Sequence, residues 1–429
     1  MRSRPVDDDE MPLGRTTTSQ RLGSTQACAT LGTVSENHSF LVRLSGPDRP
    51  GIAATVFDLL ASHKAHLEDV EQITIRGHLT LGVIVSGCDE SELQRDVLKF
   101  AYDSDLSVYF EEVSSVSTST NRGLVATLIG NSVDPSEFGA FASIIASTGG
   151  NIRRIVRLAR YPVMAFELLI AGEDTEKLRL ATLKLGRDMH CDVAVHHRGI
   201  GRRAARLVVL DVDSTLIQNE AVELLAEEAG CLDRVKKVTD QAMAGELDFE
   251  ASLRARVGLL EGLDASALTK ITQRITLTRG ARTFMRTLQR LGYRTAIVSG
   301  GFTSVTDHLA RELNIDYSLA NTLEIKDGVL TGNIDGEIVD RARKAHFLRE
   351  IATAEKIPLD QVVAIGDGAN DLDMLNVAGL GIAFNAKPVV REAADTTVNV
   401  PYLDAVLFIL GVSREDIEAA DEGDPQLPT

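Results

Sequence analysis

The sequence predicts an α/β chain in which two consecutive βαββαβ units precede a doubly wound parallel sheet with a helical cap. First, strand and helix patterns recur in the same order over residues 40–117 and 123–197. Second, short apolar runs alternate with helical segments over residues 206–412, as in a buried parallel sheet. Third, a helical stretch at about 220–278 is too long for a simple crossover, so we expect it to form the cap.

The composition is that of a globular protein. Of the 429 residues, 44% are apolar and 25% are charged, and a chain of this length is expected to form roughly two to four domains. The formal charge of −17 makes nucleic acid an unfavourable partner, since polyanions are bound by clustered Lys and Arg. Residues 1–39 lack apolar periodicity and residues 413–429 carry six acids against one Arg, so both are predicted to be disordered tails.

Cysteine usage and hydropathy bear on the cellular compartment. The four cysteines lie far apart without a C-x-x-C pair, which indicates neither a zinc site nor a disulfide framework. No apolar run approaches the roughly 18 residues that span a bilayer, and the N-terminal residues are acidic and polar, unlike a secretory signal. We therefore expect a cytoplasmic protein that binds no membrane.

The two βαββαβ units are defined by matching elements. Those of the first unit are a strand at 40–44, a helix at 52–60, strands at 67–75 and 78–85, a helix at 90–101 and a strand at 107–112. Those of the second unit are a strand at 124–128, a helix at 138–147, strands at 151–159 and 163–170, a helix at 175–189 and a strand at 192–196. Gly46 corresponds to Gly130, 84 residues on, and Leu67 to Ile152, 85 residues on. The repeat implies two tandem ferredoxin-like units.

A basic stretch at 198–206 is predicted to link these units to the parallel sheet. The predicted strands of the sheet lie at 207–210, 295–298, 362–365 and 381–384. Polar residues follow three of these strands, at 211–215, 299–301 and 366–371. Because ligands of open α/β sheets bind outside the carboxyl ends of the strands, we expect these three segments to converge.

The residue types at these strand ends suit phosphoryl transfer. Like charges ~4 Å apart repel by roughly 4 kcal/mol at an effective dielectric of about 20, so a carboxylate needs a cation to approach a phosphate dianion. Asp211 and Asp367 offer the hard oxygen ligands that Mg²⁺ prefers. Lys344, on a predicted helix before the third strand, offers a second positive charge. Magnesium-assisted chemistry on a phosphate is the resulting hypothesis.

The motifs DVDST, VSGGF and GDGANDLDM, with Lys344 between the last two, resemble the four motifs of the haloacid dehalogenase superfamily of phosphohydrolases. The resemblance implies that Asp211 is the nucleophile and Asp213 the general acid and base. It implies that Ser299 binds phosphate and that Lys344 neutralises it. Asp367 would complete the Mg²⁺ site with Asp211 and the backbone carbonyl of Asp213.

From residue 207 to about 410 the chain is similar to the phosphoserine phosphatases, through NEAVELLAEEAG, MAGELDFEASLRARVGLLEGL and NTLEIKDGVLTGNIDGE. This similarity implies hydrolysis of O-phosphoserine, the last step of serine biosynthesis, through an aspartyl phosphate. Glu220 and Arg256 would hold the amino and carboxylate groups of the substrate. Met243 and Phe249 would form an apolar pocket wall. The other implied substrate contacts are Ser299, Gly300 and Asn370.

Two other functions stay open at this point. The core motifs do not identify the leaving group, so a phosphatase or phosphotransferase for another small metabolite is an alternative. A protein of another class, an amino-acid sensor with a vestigial phosphatase module, is the second alternative. The complete set of acids argues against a vestigial module, because each required carboxylate is present.

The loop sequence GPDRPGIAATVF in the first βαββαβ unit resembles ACT domains, which implies amino-acid sensing and dimerisation by joined sheets. Asp48 and Gly51 would then contact a regulatory ligand, for which we expect serine. The second unit has the sequence GNSVDP at this place and lacks the Asp-x-x-Gly pattern. We expect a serine-regulated homodimer, with dimerisation alone as the alternative role of both units.

Overall fold

The computed structural model describes residues 39–113, 123–172, 175–185, 191–197, 206–243 and 246–424. The predicted N-terminal tail lies outside these residues except for Ser39, and so does the predicted linker except for Arg206. The chain divides into two compact units, residues 1–120 and 121–429. Within the described parts, no helix has the length and apolar character needed to cross a membrane.

The first unit contains one βαββαβ domain with an antiparallel sheet. Its elements are β1 Ser39–Pro47, α1 Ile52–Ser62, β2 His66–Ile75, β3 His78–Ser86, α2 Glu90–Asp103 and β4 Ser107–Val113. The strand order is β2-β3-β1-β4. Alternate residues of β1, namely Phe40, Val42 and Leu44, are buried. This period of two places one face of the sheet against the helices.

The second βαββαβ domain repeats this architecture. Its elements are β5 Gly123–Gly130, α3 Pro135–Ser147, β6 Asn151–Ala159, β7 Met164–Ala171, α4 Thr175–Leu185 and β8 Cys191–His197. The strand order β6-β7-β5-β8 matches that of the first domain. α3 begins at a capping box in which Asp134 and Glu137 bind each other's backbone N–H, with Pro135 in the first turn. The predicted ferredoxin-like repeat is confirmed.

The rest of the second unit is built on a seven-stranded sheet of order β12-β11-β10-β9-β13-β14-β15. Its strands are β9 Leu207–Leu210, β10 Arg294–Phe302, β11 Tyr317–Lys326, β12 Val329–Asp335, β13 Val362–Gly366, β14 Leu380–Phe384 and β15 Thr396–Val398. All neighbours are parallel except the β11–β12 hairpin. The four apolar residues of β9 are buried at the centre, as expected for a doubly wound sheet.

Helices cover this sheet and form the predicted cap. The cap helices are α5 Ala221–Glu228, α6 Leu232–Met243, α7 Phe249–Gly258 and α8 Ser266–Thr272. The remaining helices are α9 Ala281–Arg290, α10 Thr303–Leu313, α11 Arg341–Ala354, α12 Leu372–Val377, α13 Pro388–Ala393, α14 Val406–Ile409 and α15 Arg414–Glu422. Backbone hydrogen bonds join the two ends of the cap, from Gln218 N–H to the Thr276 carbonyl (2.8 Å) and from Thr278 N–H to the Leu216 carbonyl (3.0 Å).

The prediction of a disordered acidic tail at 413–429 is wrong for its described part, residues 413–424. These residues form α15, whose buried Ile417 packs in the core and whose first turn is capped by Ser413. Asp421 pairs with Arg286 at 2.7 Å and with Arg290 at 2.5 Å, both on α9. The acids are therefore balanced by arginines about 130 positions away, which a local count of charge does not detect.

Candidate active site

Three strand ends meet at one edge of the parallel sheet, as the sequence predicts. Asp211 follows β9, and its backbone N–H donates to the carbonyl of Ile365 on the neighbouring β13 (2.9 Å). Ser299 lies near the end of β10, and Asp367 directly follows β13. The residues after Asp211 make a tight turn in which Ser214 has a φ of 60°. That turn returns the chain toward the sheet edge and keeps Asp213 at the site.

A buried lysine binds two of the carboxylates at this edge. Lys344 Nζ donates to Asp211 Oδ1 at 2.6 Å and to Asp371 Oδ1 at 2.8 Å. Lys344 is fully buried on α11. The side chain of Asp340, the residue before α11, caps the first turn of this helix. A buried ammonium needs such partners because an unpaired charge in the interior is costly. The structure thus brings Lys344 to the position that the motif resemblance implies.

The acids of the cluster repel one another. Carboxylate oxygens of Asp211, Asp367 and Asp371 all lie within 4.8 Å of one another. Burial first, and the Asp371 carboxylate second, raise the pKa of Asp211 well above its usual range. The same two causes raise the pKa of Asp367 to about 6. Burial opposes the charge of Lys344, but its two carboxylate partners outweigh this and raise its pKa.

Asp213 has a different environment from Asp211. Its Oδ1 accepts a hydrogen bond from Ala221 N–H at 2.7 Å, and its Oδ2 accepts one from Ser299 Oγ at 2.8 Å. Ser299 Oγ in turn accepts from Gly301 N–H at 2.7 Å. Burial raises the pKa of Asp213 although the Ala221 and Ser299 bonds oppose the shift. A carboxyl that holds a proton more readily than usual is suited to carry one during a reaction.

Glycines allow these side chains to approach the backbone. A Cβ at Gly366 would lie 2.5 Å from the carboxyl carbon of Asp371. A Cβ at Gly301 would lie 2.8 Å from Asp213 Oδ2. At the same edge, Asp367 Oδ1 accepts a hydrogen bond from Thr215 Oγ1 at 3.3 Å. The close packing of acids at this edge therefore requires residues without side chains at both positions.

The cap contributes a mixed apolar and charged wall. The Phe249 ring contacts Gly300, where a Cβ would lie 3.1 Å from its Cζ atom. Arg256 is half-buried on α7; burial lowers its pKa, while the negative charges of Glu220 and Asp213 oppose that shift. Burial first, and the Asp213 carboxylate second, raise the pKa of Glu220 to about 7, although its side chain still reaches solvent. The side chain of Met243 lies outside the described residues.

Two polar residues at the site were not assigned roles from the sequence. Asp371, in the loop after β13, is fully buried and binds Lys344 Nζ and Gly368 N–H. Asn321, buried on β11, donates to the carbonyls of Gly300 (2.9 Å) and Gly301 (3.2 Å), and its Oδ1 accepts from Val339 N–H (2.8 Å). Asp371 stood in a recognised motif and Asn321 begins the segment NTLEIKDGVLTGNIDGE, but the resemblance implied no role for either residue.

The donor set fits a hard divalent cation. The cluster offers three carboxylates, of which Lys344 neutralises one charge, and carboxylate oxygens are the ligands that Mg²⁺ prefers. Asp211 and Asp367, both predicted as ligands, belong to this cluster together with Asp371. The carboxylate of Asp213 instead accepts hydrogen bonds from Ser299 and Ala221. Its predicted role as a Mg²⁺ ligand therefore concerns its backbone carbonyl.

The predicted regulatory residues belong to the first unit. Asp48 is exposed, and its Oδ2 accepts from Thr74 Oγ1 at 3.2 Å on the neighbouring β2. Gly51 precedes α1 with a φ of 95° and has open space where a Cβ would be. The loop is thus ordered around a conformation that favours glycine. Its ligand stays a prediction.

Comparison with known proteins assigns the chain to a family. Family models match an ACT domain at 38–111, a second ACT domain at 123–196 and a haloacid dehalogenase-like hydrolase at 208–376. A protein of Streptomyces coelicolor named phosphoserine phosphatase is 52% identical over 389 residues, which are 89% of this chain and 94% of that relative. The chain belongs to the phosphoserine phosphatase family.

Further relatives with this name are similar to most of the chain. Phosphoserine phosphatase SerB2 of Mycobacterium tuberculosis is 45% identical over 90% of this chain and 96% of its own. A solved structure of a probable phosphoserine phosphatase from Vibrio cholerae is 32% identical, with a TM-score of 0.54 over 73% of this chain and 92% of that one. Family membership confirms the resemblance that the strand-end motifs and the tandem repeat predicted.

Proposed function

We propose that this chain hydrolyses O-phosphoserine to serine and phosphate in a Mg²⁺-dependent reaction through a phosphorylated Asp211. One observation carries the proposal: carboxylate oxygens of Asp211, Asp367 and Asp371 converge within 4.8 Å at the carboxyl edge of the sheet, where the buried ammonium of Lys344 binds Asp211 and Asp371. A bound Mg²⁺ would neutralise charge on the phosphate and on the attacking carboxylate. Asp211, Asp367 and the backbone carbonyl of Asp213 would hold it, with Asp371 beside them.

The first half-reaction transfers the phosphoryl group to Asp211. A carboxylate oxygen of Asp211 forms a bond to phosphorus while the bond from phosphorus to the serine oxygen breaks. Asp213 donates its proton to that leaving oxygen, and its raised pKa supports this role. Lys344 stabilises the negative charge that moves onto the phosphoryl oxygens.

The second half-reaction returns Asp211 to its free form. Asp213, now a carboxylate, accepts a proton from a water molecule, and the water oxygen forms a bond to phosphorus. The bond between phosphorus and Asp211 breaks, and inorganic phosphate leaves. Ser299 holds Asp213 by a 2.8 Å hydrogen bond during both steps, so the same group acts first as acid and then as base.

Specificity for an amino-acid phosphate would come from the cap. Arg256 offers a planar fork that pairs with a carboxylate, and its half-buried position strengthens such a pair. Glu220, held by Ser214 Oγ at 2.9 Å, offers a negative charge to an ammonium group. Phe249 lies against Gly300 and would provide the apolar wall of this pocket.

The test compares two arginines of the same helix. Phosphate release from O-phosphoserine and from an aryl phosphate is measured with and without Mg²⁺ for Arg256→Ala and for Arg254→Ala. Arg254 pairs with Glu250 at the surface and serves as the control. We expect Arg256→Ala to impair phosphoserine hydrolysis at least tenfold more than aryl phosphate hydrolysis, since a charged hydrogen bond contributes about 1.5–3 kcal/mol. Equal losses on both substrates would give Arg256 a structural or general electrostatic role instead of recognition of the substrate carboxylate.

The first ACT-like domain supports a regulatory proposal. Serine, the product of the proposed reaction, would bind at the Asp48–Gly51 loop and lower the activity of a homo-oligomeric enzyme. Regulation of this kind requires unequal affinity of serine for two states, with a typical coupling of about 1–3 kcal/mol. The test measures turnover over a titration with serine, for the wild-type chain and for the loop variant Asp48→Ala with Gly51→Val.

A further inference from the structure

A buried carboxylate of the second ACT-like domain faces the edge of the catalytic sheet. Asp192 lies on β8, and only 7% of its surface is exposed. Its Oδ2 accepts from the backbone N–H of Asn399 at 2.6 Å. Its Oδ1 accepts from Asn399 Nδ2 at 2.6 Å and from Thr397 Oγ1 at 3.3 Å. These donors come from β15 and from the residue that follows it, so one side chain of the ACT-like domain holds the last strand of the catalytic sheet.

The two domains are in contact on both sides of this carboxylate. Thr396 Oγ1 donates to the carbonyl of Val193 at 3.3 Å, next to Asp192. Apolar residues of the second ACT-like domain share one buried cluster with the catalytic domain, among them Ile129, Leu158 and Ala165. β15 is therefore held between β14 of its own sheet and β8 of the neighbouring domain.

β15 is connected to the metal-ligand candidate Asp367 by a short path. The carbonyl of Val398, on β15, accepts from Asn385 N–H at 2.8 Å at the end of β14. Two residues later, Lys387 N–H donates to the backbone carbonyl of Asp367 at 3.2 Å. The Asn385–Lys387 segment thus contacts β15 at one end and Asp367 at the other.

We infer that Asp192 is a positioning residue for the catalytic site: by holding Thr397 and Asn399 it fixes β15 and, through the Asn385–Lys387 segment, the position of Asp367. The inference rests on the proposed role of Asp367 as a Mg²⁺ ligand. It gives the second ACT-like domain a function that needs no ligand of its own, which agrees with the missing Asp-x-x-Gly pattern in its loop.

The carboxylate form of residue 192 is what the geometry requires. In its hydrogen bonds with Thr397 and Asn399, Asp192 is the acceptor each time and needs no donor of its own. In Asp192→Asn, the amide NH₂ would face either the Asn399 backbone N–H or the Asn399 side-chain NH₂, whichever way it turns. The substitution keeps the size of the side chain and removes one acceptor, so it tests the hydrogen bonds rather than the packing.

The experiment measures Mg²⁺ binding by titration calorimetry on the full chain, next to kcat at saturating Mg²⁺ and the thermal midpoint. Asp192→Asn should weaken Mg²⁺ binding by about 2- to 30-fold, the range for residues that act through others. Exchanging the pair, Asp192→Asn with Asn399→Asp, restores a donor opposite an acceptor and should recover most of that loss. Asn399→Ala removes only the side-chain bond and provides a milder variant if Asp192→Asn does not fold.

Arg414→Ala is the matched control. Arg414 on α15 donates to the backbone carbonyl of Tyr161 in the same ACT-like domain at 3.2 Å. The partners of its hydrogen bond and of its ion pair lie outside β15. It should lower the thermal midpoint and leave Mg²⁺ affinity unchanged. Wild-type affinity in Asp192→Asn, or an equal loss in Arg414→Ala, would overturn the inference alone. Failure of the wild-type chain to bind Mg²⁺ would overturn the proposed metal site and this inference together.

Discussion

The two ACT-like domains have the same strand order and different surroundings. The first packs its helices on its own apolar cluster, and the apolar residues Leu67, Ile73 and Ile75 of its edge strand β2 are exposed. The second buries residues of its sheet in the cluster of the catalytic domain and places Asp192 against β15. The first retains the Asp48–Gly51 loop, whereas the second has lost that pattern.

This difference shows how one fold serves two purposes within a chain. A domain with its own core and a ligand-type loop can bind a small molecule while its own fold is retained. A domain that shares a core with the enzyme acts as a part of the enzyme. Changes in the shared core of residues 121–429 should therefore alter catalysis and stability, whereas changes in residues 1–120 should leave basal turnover unchanged and alter the response to serine or the stability of that unit.

The largest expected effect is that of Asp211→Asn, which should abolish turnover while the fold is retained. The substitution removes the nucleophile and leaves a side chain of the same shape beside Lys344. Phosphate release and circular dichroism are the measurements. Asp96→Asn, which removes a carboxylate paired with His63 in the first ACT-like domain, is the control and should turn over normally. Substantial Mg²⁺-dependent activity in Asp211→Asn would exclude the covalent mechanism.

The next effect is that of Asp213→Asn, which should lower kcat by roughly 10²- to 10⁴-fold, as expected for a positioned acid and base. The amide retains an acceptor for Ala221 N–H but cannot carry the proton. In single-turnover experiments, the rate of phosphoryl transfer to Asp211 should fall less for a substrate whose leaving group needs no proton, such as a nitrophenyl phosphate. Hydrolysis of the phosphorylated Asp211 is common to both substrates and should be slowed equally. An equal loss in the transfer step on both substrates would exclude Asp213 as the acid.

Two truncations separate the domains. Removal of residues 1–120 should leave basal turnover within about twofold, because that unit has its own core. Removal of residues 1–198 exposes apolar surface and takes Asp192 from Asn399. We expect it to lower the thermal midpoint by about 5 °C or more, since each kcal/mol lost shifts the midpoint by roughly 2–4 °C in a unit of this size. Equal thermal midpoints would show that the shared core contributes nothing.

A smaller effect concerns pH. Burial raises the pKa of Asp192 to about 6, against bonds from Asn399 that oppose the shift. The folded state therefore binds this proton more tightly than the unfolded state, so the contribution of Asp192 to the free energy of unfolding falls as pH rises through 6. Relative to Asp192→Asn, the wild-type chain should lose roughly 1 kcal/mol between pH 5 and 7.5, measured by urea unfolding.

A carboxylate of the first ACT-like domain, Asp96, should change its contribution to the free energy of unfolding with pH in the opposite direction. A hydrogen bond from His63 lowers the pKa of Asp96. The stability that Asp96 contributes is therefore present above its unfolded pKa and lost as pH falls through the lower folded value. Urea unfolding of Asp96→Asn and of the wild-type chain, from about pH 5 down to about pH 2, checks this. A shared sign in both domains would contradict the difference in burial between the two carboxylates.

The smallest expected effect on basal turnover is that of Asp48→Ala with Gly51→Val, which should relieve inhibition by serine. Valine at Gly51 disfavours the left-handed conformation of the loop (φ 95°). Gly149→Val, at a glycine of φ 83° in the second ACT-like domain, is the control for strain alone. Kinetics over a serine titration decide. Unchanged inhibition in the loop variant would place serine at the catalytic pocket as a product.

Local sequence patterns were sufficient for much of this fold. The matching order of strands and helices and the glycines at 46 and 130 predicted the repeat, and the apolar runs that alternate with helical segments predicted the parallel sheet. The glycines have a physical reason, because a Cβ at Gly46 would lie 2.9 Å from the carbonyl of Asp105, and one at Gly130 would lie 3.1 Å from the Cβ of Cys191. The convergence of Asp211, Ser299 and Asp367 also followed, since parallel strands end at one edge.

Other features depend on partners that are distant in the sequence. Lys344 binds both Asp371, 27 residues away, and Asp211, 133 residues away. Asn321 on β11 donates to the carbonyls of Gly300 and Gly301 on the neighbouring β10. Asp192 accepts a hydrogen bond from Asn399, 207 positions away, and Arg286 pairs with Asp421 of the acidic C-terminal helix. The sequence by itself determined which elements form and which chemistry lies at their ends. Only the tertiary structure decided which charges and polar groups pair, because burial makes pairing necessary while sequence neighbours do not supply the partners.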